Sequence, residues 1–175
     1  GQVAVEYLYA IGEQRYFLCC MAEQVEIAGF HWVPVRALRY GIPMHKAYAG
    51  ILGHHLYHWY ETRRFCGRCG QPTSRDIRER MIFCEACNLK EYPVIMPAVI
   101  VGVVRGSSLL MTKYANRPNP NWALVAGFSE VGETLEQTVA REVMEEAGLR
   151  VRHITYYKSQ PWPFSGSLLA GFFAE

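Results

Sequence analysis

No stretch of this sequence follows a charged leader with a long apolar run, and none reads as a membrane span. Neither a secretory signal nor a transmembrane helix is expected within these residues. The sequence points to a cytoplasmic protein with no membrane partner. Internal repeats and low-complexity tracts are also missing, which excludes repeat architectures and disordered linkers. Charge of one sign is scarce: 18 Lys and Arg against 16 Asp and Glu leave a net charge of +2, too little to demand nucleic acid or an acidic surface as a partner. What is present is apolar substance, 50% hydrophobic over 175 residues, enough to bury a core in one or two domains.

The first forty residues alternate as strands do. Val3 to Tyr9 and Tyr16 to Met21 flank a Gly12-Glu13-Gln14 turn, a hairpin pattern. Cys19 and Cys20, adjacent in the second run, are expected to pack in a core, because neighbouring cysteines in a strand cannot readily bond to each other. Met44 to Arg63 reads as a helix with Leu52, Leu56 and Trp59 available for packing. His54 and His58 share its face at a metal-capable spacing, but no third ligand stands near, and an aromatic-rich packing or surface helix is expected.

Four cysteines follow in two C-x2-C pairs, Cys66/Cys69 and Cys84/Cys87, with 14 residues between the pairs. Four thiols so arranged are a tetrahedral zinc signature, and Gly70 and Asn88, each just after a second cysteine, tolerate the positive φ of a metal knuckle. Two disulfides are the competing reading, which nothing in the chain supports without secretion. A four-sulfur site leaves zinc no open position, so its role is structural rather than catalytic. Downstream, Tyr92 leads through Pro97 into a β-branched run ending at Val104, a buried strand. Leu109 to Met111 and Trp122 to Val125 are further strands, and Pro118 to Asn121 form a polar loop placed to overlie a site.

The most informative stretch is Gly127 to Leu149. Thr134 and Gln137 make a capping box, Gly148 a stop, and a helix of three to four turns lies between them. Val139, Ala140, Val143, Met144 and Ala147 share one face, while Glu142, Glu145 and Glu146 crowd another. Like-charged pairs on an exposed helix cost roughly 0.2–0.5 kcal/mol each, so a cation is expected there. All-oxygen ligands suit a hard divalent ion, magnesium or manganese, which also grips phosphates. Gly127 and Gly132 are expected to let the preceding loop turn tightly, and Arg141 to aim the glutamates.

Beyond it, Lys158-Ser159-Gln160-Pro161-Trp162-Pro163-Phe164-Ser165-Gly166-Ser167-Leu168 reads as a rigid loop. Trp162 and Phe164 supply flat apolar surfaces, and Ser159, Gln160 and Ser167 neutral hydrogen bonds, a combination that suits a planar base or nicotinamide.

Gly127, five residues, Glu133, seven residues, Arg141-Glu142, an aliphatic, any residue, Glu145-Glu146, any residue, Gly148 and an aliphatic reproduce the Nudix box. With the four-cysteine ribbon before it, the Tyr92-Pro-x-x-x-Pro-Ala link and Ser159-Gln-Pro-Trp-Pro-Phe164 after it, the chain resembles the NADH pyrophosphatase family of Nudix hydrolases over about residues 60–173. The resemblance implies an α/β (α+β) Nudix fold, a mixed-sheet α/β/α sandwich. Residues 93–175 would form it, a zinc ribbon would occupy 63–92, and a small β-rich domain with a closing helix 1–62. It implies hydrolysis of NAD(H) to NMN(H) and AMP, with related dinucleotides and NAD-capped RNA as further substrates. Metal binding falls to Glu142, Glu145, Glu146 and the carbonyl of Ala126, with Glu145 either a ligand or a group that positions water. Arg141 would orient the carboxylates. Phe128 and Tyr92 would stack on the nicotinamide, Glu79 would touch substrate, and Gln160 to Ser167, including Pro161, Pro163, Ser165 and Gly166, would line the nucleotide pocket. A homodimer completes the site in this family.

Two positions depart from the family pattern: Ser165, where proline is usual, and Val94, where a basic or polar residue is common. The Nudix domain is expected to continue beyond Glu175 with its last strands and helix and a further metal-binding glutamate. Weak or no activity is expected of these residues alone. Two other readings stand: a Nudix hydrolase of ADP-ribose or a dinucleoside polyphosphate, and a non-catalytic zinc-ribbon module that binds nucleic acid.

Overall fold

Alternating side chains over the first strands pair into an antiparallel hairpin of β1 (Ala4–Ile11) and β2 (Gln14–Cys20), turned by Gly12 at φ 58°. The computed structural model describes residues 4–21, 23–116 and 121–175, so Pro118, Asn119 and Pro120 of the expected overlying loop, and Val3 of the first strand, lie outside the described residues. The chain divides into two compact units, Gly1–Val94 and Ile95–Glu175.

In the first unit, a 3-10 turn over Val35–Tyr40 precedes α1 (Met44–Thr62), which packs on the hairpin. Ala47, Ala49, Ile51, Leu56 and Trp59 of the helix are buried, as is Leu8 of β1. Gly53 faces β1 at ordinary contact distance, where a Cβ would stand 3.5 Å from the Leu8 side chain, and the Tyr9 hydroxyl donates to the Ala49 carbonyl. Cys19 and Cys20 do not pack in a core; both are exposed. Among the described residues the sheet has two strands, so β2 has little to bury against, and Tyr16 and Leu18 reach no further than half-burial. His54 and His58 stack with parallel rings 6.4 Å apart, and no third metal-binding group joins them among the described residues.

The cysteine region folds as a three-stranded antiparallel ribbon of β3 (Ser74–Arg75), β4 (Ile82–Phe83) and β5 (Lys90–Glu91). Met81 and Ile82 are buried beneath it. It is tied to the hairpin and to α1 by side chains rather than by a shared sheet: Arg75 pairs with Glu6 of β1 and stacks 3.8 Å over the Tyr60 ring of α1, and Arg80 donates to the Leu8 carbonyl.

The second unit is built on β6 (Met96–Arg105), whose Val99, Val101 and Val103 face a core and are almost wholly shielded. Two short antiparallel pairings follow, β7 (Ser108–Leu109) with β6, and β8 (Thr112–Lys113) with β9 (Trp122–Ala123). Then come β10 (Val125–Phe128), α2 (Leu135–Ala147), β11 (Thr155–Trp162) and β12 (Ser167–Ala174). The sheet order is β10-β6-β12-β11, with β12 parallel to β6 and the other neighbours antiparallel. This is the mixed sheet expected of the fold. One helix, α2, covers a face of it through Val139 and Val143; burying each contributes roughly 1.5–3 kcal/mol.

Two expectations change. Ala140 and Met144 are exposed rather than buried, because the α2 stripe that meets β6 is narrower than the apolar face of the sequence and centres on Thr138, Val139 and Val143. Lys158 to Trp162 are not loop but the end of β11, followed by a tight hairpin in which Gly166 takes φ 67°. Pro161 is tolerated there because β11 is the outermost strand, where a missing amide breaks no second ladder. No helix among the described residues is long and apolar enough to cross a membrane.

Candidate active site

The site forms where β10 runs into α2. Gly132 at φ 93° turns the connecting loop, and the capping box starts the helix: Thr134 Oγ1 accepts from the Gln137 amide at 3.2 Å and Gln137 Oε1 from the Thr134 amide at 2.8 Å. Gly148 at φ 68° ends it.

Arg141 is the hub of the polar face. Its Nε donates to Glu133 Oε1 at 2.6 Å and Nη2 to Glu133 Oε2 at 3.0 Å, a two-pronged grip. Nη1 reaches Glu142 at 2.8 Å and Glu145 at 3.1 Å, and Nη2 also holds the Phe128 carbonyl at 2.8 Å. Arg141 thus ties the loop, the helix and the end of β10 together. The guanidinium, with help from the Glu130 amide, holds the Glu133 carboxyl down at about 2, well below the ordinary carboxylate range, so Glu133 stays ionised. Sequence reasoning gave Glu133 only a place in the motif and beside the helix dipole; its anchoring role arises because the loop before Thr134 folds back onto Arg141.

The carboxylates differ from one another. Glu142 is tucked in, its side chain 12% exposed, whereas Glu145 is 59% exposed. Glu142 lies directly over Gly127: a Cβ on that glycine would stand 2.0 Å from Glu142 Cδ and 2.1 and 2.2 Å from its oxygens. Gly127 is therefore a close-approach glycine within β10 and not a turn residue as its position in the sequence led us to expect, since it has no positive φ. No hydrogen bond among the described residues reaches Glu146, whose carboxyl is pushed up by partial burial and by the charge of Glu142. The three carboxylates are not drawn into a tight ligand cluster; among the described residues that distinction belongs to the four cysteines.

Strand register brings the rest of this unit's candidates to one end of the sheet. Phe128 lies opposite Ala98, Ala98 opposite Leu169, and Ser167 opposite Met96. Phe128 and the 162–167 hairpin therefore sit at the same sheet end, with Ala126 and Gly127 next along β10. Trp162 and Phe164 pack ring on ring at 5.4 Å, and the hydroxyls of Ser165 and Ser167 meet at 2.8 Å. Gln160, Pro161, Phe164 and Ser165 are exposed, while Pro163, Gly166 and Ser167 are buried beneath them. In the first unit, the Tyr92 hydroxyl donates to Glu79 at 2.9 Å, and that hydrogen bond, with the Glu79 charge, raises the phenol above its usual value.

The cysteines form the second site. Their sulfurs all lie within 4.8 Å of one another, with Cys66 to Cys87 and Cys69 to Cys84 at 3.5 Å and Cys69 to Cys87 at 3.8 Å. A tetrahedron with zinc–sulfur bonds of about 2.3 Å has edges of about 3.8 Å, so the spacing fits a zinc ion. Gly70 at φ 74° and Asn88 at φ 53° close the two knuckles. The amides of Cys69 and Arg68 hold the Cys66 thiol down to about 6, and sharing its proton with that sulfur lifts Cys87 to about 12. A zinc ion would be held by Cys66, Cys69, Cys84 and Cys87 as thiolates.

Residues 61–92 match the NADH pyrophosphatase zinc ribbon domain and residues 95–171 the NUDIX domain. The chain belongs to the NADH pyrophosphatase family of Nudix hydrolases. A relative named NAD-capped RNA hydrolase NudC from Pasteurella multocida is 41% identical over 143 residues, 79% of this chain and 54% of the relative. One of the same name from Citrobacter koseri is 45% identical over 123 residues, 70% of this chain and 48% of the relative. The chain thus spans about half the length of the curated relatives it matches. The solved structure of a NUDIX hydrolase from Nitrosomonas europaea is 32% identical, with a TM-score of 0.54, covering 63% of this chain and 66% of that one. The zinc ribbon with its four cysteines and the Nudix fold around α2 are shared family features.

Proposed function

We propose that the protein hydrolyses the diphosphate of NAD(H), releasing NMN(H) and AMP, and that it removes the NAD cap of RNA to leave a 5′-monophosphate end. The observation that carries this reading is the placement of the Arg141-anchored carboxylates of α2 at the same sheet end as Phe128 and the Trp162–Ser167 hairpin. A carboxylate face beside an aromatic, hydrogen-bonding surface suits a diphosphate joined to planar bases. The relatives named NAD-capped RNA hydrolase and the zinc ribbon support the choice of dinucleotide.

The donor set fits magnesium or manganese: carboxylate oxygens whose ion-pair partner among the described residues is Arg141, and a glycine whose missing Cβ makes room for Glu142. Glu142, Glu146 and the Ala126 carbonyl would hold such ions, with Glu145 a ligand or a positioner of water. When bound, a divalent ion neutralises diphosphate charge and lowers the pKa of water. Arg141 keeps Glu142 and Glu145 aimed and ties them to the backbone carbonyl of Phe128 at the end of β10. Trp162 and Phe164 offer stacking surface, Gln160, Ser165 and Ser167 hydrogen bonds, and Pro161, Pro163 and Gly166 the shape of the hairpin. Glu79 and Tyr92 are further candidate contacts, and assembly as a homodimer accompanies this reading.

The test is product analysis on the full-length protein with manganese and, in separate reactions, NADH, ADP-ribose and a dinucleoside polyphosphate. NMNH and AMP from NADH, at a rate well above cleavage of the other two, is the expected result. Intact NADH with cleaved ADP-ribose would overturn the substrate assignment and leave the diphosphate chemistry standing.

A further inference from the structure

Thr138 stands on the core side of α2 beside Val139, its side chain wholly shielded from solvent. A buried helical threonine ordinarily gives its hydroxyl proton to the carbonyl one turn back. Here that carbonyl, of Thr134, is 3.1 Å from Oγ1, but Glu133 Oε2 is nearer at 2.9 Å. A hydroxyl has one proton to give, and an ionised carboxylate is the stronger acceptor, so Thr138 donates to Glu133.

Among the described residues Glu133 receives four donors: Arg141 Nε on Oε1, and Arg141 Nη2, the Glu130 amide and Thr138 Oγ1 on Oε2. These differ in stiffness. Arg141 sits at the end of a long flexible stem and Glu130 in a loop, whereas Thr138 is β-branched, helical and packed in the core, with a restricted χ1. The hydroxyl is thus the most rigid reference for the plane of the carboxylate. What that plane sets, Arg141 transmits, since the same guanidinium holds Glu142, Glu145 and the Phe128 carbonyl.

We propose that Thr138 is a positioning residue whose buried hydroxyl fixes the Glu133 carboxylate and, through Arg141, the placement of Glu142 and Glu145. It touches neither substrate nor metal. The inference rests on reading the α2 carboxylates as the metal site of a diphosphate hydrolase, and it extends that reading into the core of the helix. A merely space-filling threonine makes the opposite demand on substitutions: volume would matter and the hydroxyl would not.

The experiment compares Thr138→Val, which keeps the shape and loses the hydroxyl, with Thr138→Ser, which keeps the hydroxyl and loses a methyl. Thr138→Ala against Thr138→Ser repeats the contrast with the methyl absent from both, and decides the matter if the valine variant does not fold. Turnover of NADH at saturation, KM, and manganese affinity are measured in the full-length protein, with circular dichroism to confirm folding. Valine and alanine are expected to lower kcat about tenfold and weaken manganese binding several-fold with little change in KM, and serine to restore both to within about threefold of the parent. Valine at parental turnover and manganese affinity, or serine as impaired as alanine, overturns the proposal. If the parent binds manganese but leaves every dinucleotide intact, the functional reading fails while manganese affinity across the variants still decides the role of Thr138; a parent that binds no manganese ends both.

Discussion

Alanine at Gly127 is expected to cut turnover about a hundredfold or more while leaving the fold almost unchanged. The added methyl would stand 2.0 Å from Glu142 Cδ and within 2.2 Å of both carboxylate oxygens, far inside any tolerable contact. What must move is the end of a side chain, not backbone, so the cost to stability is small. Gly127 lies in β10 without a positive φ, so the backbone itself accepts alanine. Moving Glu142 aside works against its 2.8 Å bond to Arg141, and a displaced Arg141 loosens Glu145 and Phe128 with it. A displacement of about an ångström in a catalytic group is enough for an effect of that size. Thermal melting and steady-state kinetics on the same preparation separate the two quantities: a melting temperature near the parent's with collapsed kcat is the expected pair, and parental kcat would contradict the packing argument.

The second large effect is expected at the zinc ribbon. Cys84 is almost wholly buried, at 1% exposure, and its sulfur is 3.5 Å from that of Cys69. Cys84→Ser is expected to abolish zinc binding and unfold residues 63–92 locally, because three short strands of two residues each cannot hold the ribbon without the metal. Structural zinc in such small modules contributes on the order of 10 kcal/mol of apparent folding free energy. Acid should act in the same direction. Zinc must displace the protons of Cys69 and Cys87, both raised above the ordinary thiol value, so affinity falls as pH falls and protons regain the sulfurs. Metal content by atomic emission and limited proteolysis of the ribbon check both statements; retained zinc in the serine variant would contradict the four-sulfur assignment.

Much of the second unit was legible because its signals are local. Thr134, Gln137 and Gly148 mark the ends of α2 by their own side-chain and backbone chemistry, and the structure makes the hydrogen bonds those residue types imply. Gly70 and Asn88 take the positive φ that knuckle geometry requires for the same reason. What was not legible depends on neighbours distant in sequence. Cys19 and Cys20 read as core because thiols usually are, but burial needs a partner surface that a two-stranded hairpin does not provide. Gly127 carried no mark of its true role, since only the register of β10 against α2 puts Glu142 over it. Prolines made Gln160 to Phe164 read as loop, and it took the outermost place of β11 to make Pro161 a strand residue. Thr138 sits at a position the motif leaves free, and its contact with Glu133 appears only when loop and helix are folded together.

In the proposed function the carboxylates of α2 hold the divalent ions with which the protein cleaves a dinucleotide diphosphate. The measurement that tests it most directly is Glu146→Gln in the full-length protein, assayed for NMNH release from NADH and for manganese affinity on one preparation. Glu146 makes no hydrogen bond among the described residues and its carboxyl is raised by burial and by Glu142, so the amide should leave the fold intact. Loss of turnover by about a thousandfold together with weakened manganese binding is the predicted result. Parental turnover with parental manganese affinity would place the metal, and with it the chemistry, somewhere other than this helix.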